Sequence, residues 1–384
     1  MTAAPLRILL LGDYAADPRL GSSKVYYKLR EEFTRLGHDC DVMFQPDLGA
    51  WPTMAKLRWA LAPALAARAV ARAAKSYDVI DVASAEGAVL GLRRALSPAS
   101  LVAIVSRSHG LEHRNYQRLL DDHAAGFMRK GWHRRWWYPV ARLSQVALAA
   151  RLSDRLIVLN AGDAEFAAAR HWKPREAIDV IPHGVSGRFL DSTPPAGAPR
   201  GRGVLFCGTW DDVKGVRYLA AAFSEVAATL PGARLTVLGA GMPDAAVRAQ
   251  FAPHARAAVT VLPRVSEEEV MREYRAHDVL VLPSTYEGFG MVVLEAMSQR
   301  LPVVSTPVGC APALIRDGET GLLVRPRSVA DLSAALRRLL GDAGLRQQLA
   351  EAAYPLALAH TWAATAERTL ATYRHAIAMR RGTT

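Results

Sequence analysis

Cysteine is scarce in this chain of 384 residues: only Cys40, Cys207 and Cys310 occur, and they stand far apart. None of them has the CxxC spacing or the nearby histidines that a structural zinc site requires. Three separated cysteines cannot build a disulfide framework either, so we expect free thiols of the kind found in cytosolic proteins.

Long apolar runs are missing as well. No stretch approaches the roughly 18 uninterrupted apolar residues that a membrane-spanning helix needs. The apolar run at residues 6–11 is about as long as a strand and stops at Gly12, without the core and the cleavage site of a signal peptide. The sequence therefore predicts a cytoplasmic protein that is neither secreted nor integral to a membrane.

Acidic residues are outnumbered in this chain. Lys and Arg total 48 against 36 Asp and Glu, which gives a formal net charge of +12. Most of the excess lies in the first half, where residues 1–190 hold 27 basic and 18 acidic side chains. Such a charge distribution favours an anionic partner, which leaves nucleic acid, an anionic lipid surface and an acidic substrate as alternatives.

The chain is longer than one hydrophobic core usually serves, so two domains of about 150 to 200 residues are expected. In both halves, short apolar runs alternate with helical patterns, which is typical of doubly wound parallel sheets. The predicted strands are 6–11, a short one after Gly37, 79–82, 101–105, 156–159, 204–206, 235–238, 259–262, 279–282 and 302–305. The predicted fold class is α/β with two Rossmann-like domains.

The domain boundaries follow from a change in composition. Residues 186–203 are rich in Pro and Gly and have neither helical nor strand periodicity. We therefore predict an N-terminal domain at 1–190, a linker at 191–203 and a C-terminal domain at 204–360. The last stretch, 361–384, has helical spacing and is predicted to pack back on the N-terminal domain.

The richest loop for chemistry is the one after the predicted strand at 279–282, because open α/β sheets bind ligands beyond the carboxyl ends of their strands. There a turn with Gly288 and Gly290 leads into a helix. Glycine lets the backbone approach a ligand, and the first amides of the helix can stabilise a diphosphate without a metal ion. Glu287 lies in the loop, and Glu295 lies where a carboxylate can accept ribose hydroxyls. The simpler alternative is a glycine turn that caps an ordinary core helix.

Seven residues separate Glu287 from Glu295, with Gly-Phe-Gly between them, and the segments 301–309 and 315–324 follow. This block resembles the retaining GT-B glycosyltransferases of family GT4, the glycosyl transferases group 1. The resemblance implies two Rossmann-like domains that face each other across a cleft. It also implies a retaining transfer of a sugar from a nucleotide-sugar to an acceptor hydroxyl, with neither metal nor cofactor.

The resemblance further implies which residues bind the donor and which are catalytic. The implied donor-binding residues are Gly21, Ser22, Gly208, Thr209, Lys214, Arg264, Val265, Glu287, Gly288, Phe289, Gly290, Met291, Val292 and Glu295, and the implied catalytic residues are His109, Lys214 and Glu287. Lys214 matches a lysine that contacts the donor phosphates in relatives, whereas Thr209 stands where relatives have an arginine. On charge alone, Arg217, Lys24 or Arg107 could replace that arginine. Arg264 and Val265 follow another predicted strand, and the resemblance implies that they lie near the base.

Each of these assignments has a structural alternative. His109 follows a predicted strand and resembles the family's histidine at the sugar end of the site, although lone histidines are more often structural. Gly21 and Ser22 resemble a glycine loop that faces the diphosphate, but glycine and serine are also ordinary helix-capping residues. Lys214 could equally be a solvated surface lysine.

Two acid-free segments in the first half interleave basic and aromatic side chains. They are 48–77, with Trp51, Lys56, Arg58, Trp59, Arg68, Arg72 and Lys75, and 123–150, with Phe127, Arg129, Lys130, Trp132, Arg134, Arg135, Trp136, Trp137, Tyr138 and Arg142. This pattern predicts peripheral contact with an anionic membrane that delivers a lipid-linked or polysaccharide-precursor acceptor. The alternative is a solvated helix face with core aromatics.

Other functions remain open at this stage. A soluble glycosyltransferase for small natural products, a nucleotide-sugar epimerase and a phosphorylase all fit the same fold, because a fold does not determine a reaction. A nucleic-acid-binding module is disfavoured, since the chain has no helix-turn-helix, zinc or RNP-type signature. The sequence identifies neither the base and sugar of the donor nor the acceptor.

Overall fold

The computed structural model describes residues 4–18, 21–49, 55–97, 100–127, 133–201 and 203–382. Its contacts divide the chain into two compact units, Met1–His183 with Trp362–Thr384, and Gly184–Thr361. Each unit has its own six-stranded parallel sheet with helices around it, so the predicted α/β class with two doubly wound domains is confirmed. The predicted cleft between the domains stays a prediction.

The sheet of the first unit has the strand order β2-β1-β3-β4-β5-β6. Its strands are β1 (Arg7–Leu11), β2 (Asp39–Met43), β3 (Val79–Ala83), β4 (Ala103–Arg107), β5 (Arg155–Val158) and β6 (Ile178–Val180), and its helices include α1 (Gly21–Arg35), α2 (Ala55–Arg72), α3 (Gly87–Ala95), α4 (Glu112–Ala124), α5 (His133–Tyr138), α6 (Ser144–Leu152) and α7 (Ala161–Ala169). All its strand pairs are parallel. The central strands are buried along their length, which explains why they read as continuous apolar runs.

The sheet of the second unit has the order β12-β11-β10-β7-β8-β9. Its strands are β7 (Val204–Cys207), β8 (Leu235–Leu238), β9 (Val259–Leu262), β10 (Val279–Leu282), β11 (Val303–Ser305) and β12 (Leu322–Leu323), and its helices are α8 (Gly187–Asp191), α9 (Val216–Thr229), α10 (Asp244–Arg248), α11 (Glu267–Ala276), α12 (Met291–Ser298), α13 (Ala311–Leu314), α14 (Val329–Gly341) and α15 (Ala343–Leu358). Its strand pairs are parallel too. The loops that leave these strands therefore meet along one edge of the sheet.

The last helix, α16 (Trp362–Arg381), belongs to the first unit. Its Tyr373 ring lies 5.8 Å from the ring of Phe33 in α1, and the Tyr373 hydroxyl donates to Asp81 in β3 at 2.5 Å. The same carboxylate accepts two bonds from Arg107 in β4, at 2.6 and 2.8 Å, and both charged side chains are fully buried. A buried ion pair therefore joins two strands and the C-terminal helix.

The segment predicted as a linker, 191–203, is part of the second unit, which begins at Gly184. Arg200 is the physical reason that this segment is held in the unit. Its guanidinium donates to backbone carbonyls at the carboxyl ends of α11 and α12, those of Tyr274, Arg275, His277, Gln299 and Arg300. Burial lowers the pKa of Arg200 to about 10. One long side chain thus holds a segment whose composition suggests a free connection.

Two strands have no counterpart in the sequence prediction. They are β6, with three residues, and β12, with two, and both lie at the sheet edges. Strands this short are below the length at which periodicity can identify them. In the described ranges no helix combines the length and the apolar character needed to cross a membrane.

Candidate functional site

The loop between β10 and α12 forms a tight turn at the strand-end edge of the second sheet. Gly290 precedes the helix with a φ of 87°, a left-handed conformation that favours glycine. The carbonyl of Phe289 accepts a bond from the Cys310 amide at 2.7 Å, and a Cβ at Gly309 would lie only 2.4 Å from that carbonyl oxygen. The turn is therefore held against the segment after β11, and it leads directly into Met291 and Val292, the first residues of α12.

Lys214 and Glu287 are brought together in this corner, although 73 positions separate them in the chain. The Lys214 Nζ donates to Glu287 Oε1 at 2.6 Å, and the Ser284 hydroxyl donates to the same oxygen at 2.7 Å. The Glu287 side chain is 9% exposed and that of Lys214 is 26% exposed. Two predicted catalytic residues thus form one partly buried ion pair at the edge of the sheet.

Close backbone contacts fix the loop that carries Lys214. Gly215 has a φ of 70°, and a Cβ there would lie 2.0 Å from the carbonyl oxygen of Pro283. The Thr285 amide also donates to the carbonyl of Val213 at 2.8 Å. Only glycine at 215 allows the two loops to approach this closely, so the position of the Lys214 ammonium group depends on that residue.

Glu295 lies in the second turn of α12 and is almost fully buried. Its Oε2 accepts a hydrogen bond from the hydroxyl of Tyr274 in α11 at 3.1 Å. Burial, together with the neighbouring Cys207 and Glu295, raises the pKa of Tyr274, which therefore stays protonated as a donor. The sequence did not predict Tyr274, because an aromatic residue at helical spacing is usually a core residue.

Thr209 and Arg264 meet at the same edge. Gly208 follows β7 with a φ of 148°, and Thr209 comes next. The Arg264 Nη2 donates to Thr209 Oγ1 at 3.5 Å, a long hydrogen bond. Val265 is half-buried beside the exposed Arg264. The Arg264 side chain reaches towards the loop after β7, and its predicted place near the base stays a prediction.

Three residues were predicted as substitutes for the missing arginine. The prediction for Arg107 is wrong, because its side chain is fully buried in the first unit and paired with Asp81. Arg217 belongs to the second unit and forms an ion pair with Asp212 at 2.9 Å. Lys24 lies in α1 of the first unit.

Gly21 and Ser22 form the first turn of α1. Gly21 is exposed and Ser22 is half-buried, and the hydroxyl of the next residue, Ser23, donates to the carbonyl of Ala15 at 2.6 Å. The glycine is thus part of the helix rather than of a loop before it. The predicted contact with the diphosphate stays a prediction.

His109 follows β4 and lies among aromatic rings. The centroids of Tyr14, Tyr26 and His183 are 5.6, 5.4 and 5.9 Å from its own. Neither ring nitrogen has a hydrogen-bond partner in the described part of the chain. Burial, and to a lesser degree the Arg107 guanidinium, lowers the pKa of His109 to about 3. The ring is therefore neutral near pH 7 and can exchange hydrogen bonds with a ligand without carrying a charge.

A second polar cluster, which the sequence did not predict, lies in the first unit around Arg142. This arginine donates to Glu86 at 2.7 Å and to Glu112 at 2.9 Å. Burial raises the pKa of Glu86, whereas hydrogen bonds and the charge of Arg142 outweigh burial and lower the pKa of Glu112. The prediction that Arg142 belongs to an exposed basic face is therefore wrong.

Other members of the predicted basic face divide into several groups. Arg58 and Lys75 form ion pairs with Asp13 and with Asp39, respectively. Arg68 and Arg72 are exposed on α2, and so is Trp136 on α5. Trp51, Arg129, Lys130 and Trp132 lie outside the described residues, and the side chains of Lys56, Arg134 and Arg135 are not described. In the described ranges, no three His, Cys, Asp or Glu side chains are grouped so that they could hold a metal ion.

Two doubly wound parallel sheets, the second with this strand-end corner, define the GT-B class of fold. Solved structures agree over nearly the whole chain. Sucrose-phosphate synthase from Thermosynechococcus elongatus superposes with a TM-score of 0.76 at 21% identity, covering 97% of this chain and 100% of that one. The HepE protein of Anabaena, solved with UDP and glucose, superposes with a TM-score of 0.69 at 17% identity, covering 96% of this chain and 100% of that one.

The family follows from sequence comparison. The model "Glycosyl transferases group 1" matches residues 201–342, and the model "Glycosyltransferase Family 4" matches residues 21–186. This chain belongs to the family 4, or group 1, glycosyltransferases. A relative from Nocardia farcinica named D-inositol 3-phosphate glycosyltransferase is 33% identical over 240 residues, which cover 59% of this chain and 53% of the relative. The chain thus spans about half the length of the curated relatives it matches.

Proposed function

We propose that this protein is a glycosyltransferase that moves a sugar from a nucleotide-sugar donor to an acceptor hydroxyl, with retention and without a metal ion. The observation that carries the proposal is the Lys214–Glu287 ion pair beside the glycine turn that starts α12. A cation, a carboxylate and the start of a helix in one corner suit a ligand that has a diphosphate next to a sugar.

In this proposal the diphosphate lies against the first turn of α12. The first amides of a helix have no partner within the helix, and the helix dipole adds a partial positive charge there. The Lys214 ammonium lies nearby and, although it is paired with Glu287, can donate a charged hydrogen bond to a phosphate oxygen. Together they stabilise the negative charge that grows on the departing diphosphate, the task that a metal ion performs in other transferases.

Glu287 and Glu295 would hold the two ends of the donor. Glu287 is fixed by Lys214 and Ser284, so its carboxylate has a defined orientation for accepting hydrogen bonds from sugar hydroxyls. Glu295 is oriented in the same way by Tyr274 and would accept from the ribose. Preorganised acceptors of this kind lose little conformational entropy when the donor binds.

We propose a front-face reaction for the transfer. The bond between the anomeric carbon and the phosphate oxygen breaks, the acceptor oxygen bonds to the same face, and its proton passes to the leaving phosphate. A double displacement would need a carboxylate nucleophile below the sugar. Glu287 is a poor candidate for that role, because its carboxylate already neutralises Lys214. Neutral His109 would serve as a hydrogen-bond partner of the sugar.

Binding and turnover test this proposal directly. Calorimetry with UDP, GDP, ADP and their glucose and N-acetylglucosamine conjugates should find one nucleotide series that binds. Release of the nucleoside diphosphate with transfer or slow hydrolysis of the sugar should follow, and NMR should show that the first product keeps the donor's anomeric configuration. The rate should not change with EDTA. Failure to bind any of these nucleotides would refute the proposal, and an epimerised sugar would favour the epimerase alternative.

We further propose that the first unit contacts anionic membrane at the cytoplasmic face, where a lipid-linked acceptor would be available. The supporting observation is two pairs of exposed apolar side chains. Trp136 and Val140 are 64% and 75% exposed, and Leu57 and Leu61 on α2 are 47% and 39% exposed. Trp59 joins the two regions by ring contacts with Trp137 at 6.1 Å and Tyr138 at 5.6 Å. Exposed tryptophan beside basic residues is typical of interfacial segments.

Vesicle sedimentation tests the membrane contact. The protein should sediment with phosphatidylserine-containing vesicles at low salt, and the double substitution Trp136→Ser/Val140→Ser should weaken that binding at least about tenfold, because two side chains lose apolar burial. The substitution Leu358→Ser, at an exposed apolar residue of α15 in the other unit, is the control and should have no effect. Absence of wild-type binding at low salt would favour a soluble enzyme for small acceptors.

A further inference from the structure

We propose that the Arg264 guanidinium binds the donor diphosphate and supplies, from the end of β9, the cation that Thr209 cannot provide. This inference rests on the proposed function, because it names a contact within the proposed donor site. Its starting point is the hydrogen bond from Arg264 Nη2 to Thr209 Oγ1 at 3.5 Å.

The first step is the charge of the corner. A diphosphate ligand brings more than one negative charge, whereas the Lys214 ammonium is already paired with the Glu287 carboxylate at 2.6 Å. That pair has no net charge. Helix amides add only a partial positive charge. Binding a diphosphate at this edge therefore needs a further cation that no carboxylate neutralises.

The second step identifies that cation. Arg264 is exposed, and no carboxylate of the described residues forms an ion pair with it. Two other exposed or half-exposed cations of the same unit are already neutralised: Arg217 pairs with Asp212 at 2.9 Å and Arg325 with Asp331 at 2.6 Å. Arg264 thus carries a full positive charge to the edge where a diphosphate would bind.

The third step is the path of the side chain. In the sheet, β8 lies between β7 and β9, so a side chain that starts after β9 must cross the end of β8 to reach Thr209. The turn after β8 contains Gly239 and Gly241, both left-handed. A Cβ at Gly239 would lie 3.7 Å from Arg264 Cγ, and one at Gly241 would lie 3.8 Å from Arg264 Nη2. The Arg264 side chain therefore lies along the backbone of this turn, at two positions that have no side chain of their own.

The fourth step is the chemistry of the guanidinium group. It is planar, always charged, and presents several N–H donors in a fork that matches phosphate oxygens. The Thr209 hydroxyl accepts from one nitrogen, Nη2, which orients the group and leaves the remaining donors for a ligand. An arginine held in this way loses less conformational entropy on binding than a freely rotating one.

The test separates phosphate recognition from base recognition. Whichever of UDP, GDP and ADP binds the wild type most tightly is titrated calorimetrically, and the matching nucleoside is measured by ligand-detected NMR. Arg264→Gln should weaken diphosphate binding about 10- to 100-fold, as expected for the loss of a charged hydrogen bond, and should change nucleoside binding less than about twofold. Adding Thr209→Arg to that variant should restore at least about fivefold, because the charge returns from the neighbouring position.

Arg338→Gln is the matched control, since Arg338 is exposed in the last turn of α14, away from the strand-end edge, and changes the net charge equally. It should change diphosphate binding less than about twofold. Thermal unfolding of each variant verifies the fold. Unchanged diphosphate binding in Arg264→Gln would overturn the inference while leaving the proposed function intact, and so would an equal loss for the nucleoside. A wild type that binds no nucleoside diphosphate would instead overturn the proposed function itself.

Discussion

Removing the ammonium group by the substitution Lys214→Ala separates the two roles assigned to the ion pair. In the wild type, the Lys214 ammonium donates to Glu287 Oε1 at 2.6 Å, and the Ser284 hydroxyl donates to the same oxygen at 2.7 Å. The substitution therefore deletes the proposed phosphate contact and also leaves the buried Glu287 carboxylate without its cation. Both consequences are measurable.

The size of the effect follows from the position of Lys214. Two unit charges about 4 Å apart interact by about 4 kcal/mol at an effective dielectric constant of about 20. The Lys214 side chain is 26% exposed, so solvent screens part of this energy. We therefore expect a loss of about 2.7 kcal/mol of transition-state stabilisation, the lower end of the range for removing one such contact, which corresponds to about 100-fold in kcat.

The assay is release of nucleoside diphosphate from the nucleotide-sugar, which needs no known acceptor, together with calorimetric binding of the free diphosphate. Lys214→Ala should lower both. Glu287→Gln is the informative partner, because it removes the carboxylate that competes for Lys214: turnover should fall, whereas diphosphate affinity should stay equal or increase. Release within about threefold of wild type in Lys214→Ala would refute a phosphate role for this lysine.

Three further predictions concern stability. The pKa of His109 is about 3 in the folded state and about 6.5 in the unfolded state, so its contribution to the free energy of unfolding falls as the pH drops below about 6.5. Between pH 7 and pH 5, urea titrations should show that the wild type loses about 2 kcal/mol more of this free energy than His109→Gln. Gly215→Ala should cost at least about 2 kcal/mol and lower turnover, since its Cβ meets a backbone oxygen at 2.0 Å, whereas the equally left-handed Gly232→Ala meets nothing within 4 Å and should cost about 1 kcal/mol. Asp81→Asn should cost about 3 to 5 kcal/mol in chemical denaturation because it leaves the Arg107 charge buried, and Asp81→Leu combined with Arg107→Met should recover most of it.

The fold was predictable because its signals are local. Each central strand is buried on both faces, so it appears in the sequence as an unbroken apolar run, and the alternation of such runs with helices implies parallel sheets. The corner at Glu287 was predictable for the same reason. Its strand, glycine turn and helix are consecutive in the chain, and the resemblance to a known family added the distant Lys214.

Side chains that act across long sequence separations were not predictable. Arg142 lies in a segment whose composition indicates an exposed basic surface, yet it is buried between Glu86 and Glu112, 56 and 30 positions away. Arg200 lies in a segment whose composition predicts a linker, yet its guanidinium donates to five backbone carbonyls far along the chain. Periodicity describes the local face of a helix or loop, and it contains no information about the carboxylates and carbonyls that tertiary folding brings to that face.

Thr209 and Arg264 show how topology can replace a residue that a motif requires. At position 209 the resemblance predicts an arginine, and the threonine there breaks the motif. The parallel sheet, however, brings the ends of β7, β8 and β9 side by side, so a cation 55 positions later reaches the same point across Gly239 and Gly241. A linear motif cannot show that Arg264 takes the place of an arginine at position 209, because the two positions are close through the order of the strands in the sheet and not through their spacing in the chain. The signal that could have suggested it is the Gly-Ala-Gly turn after β8, whose missing side chains leave room for a neighbouring strand's arginine.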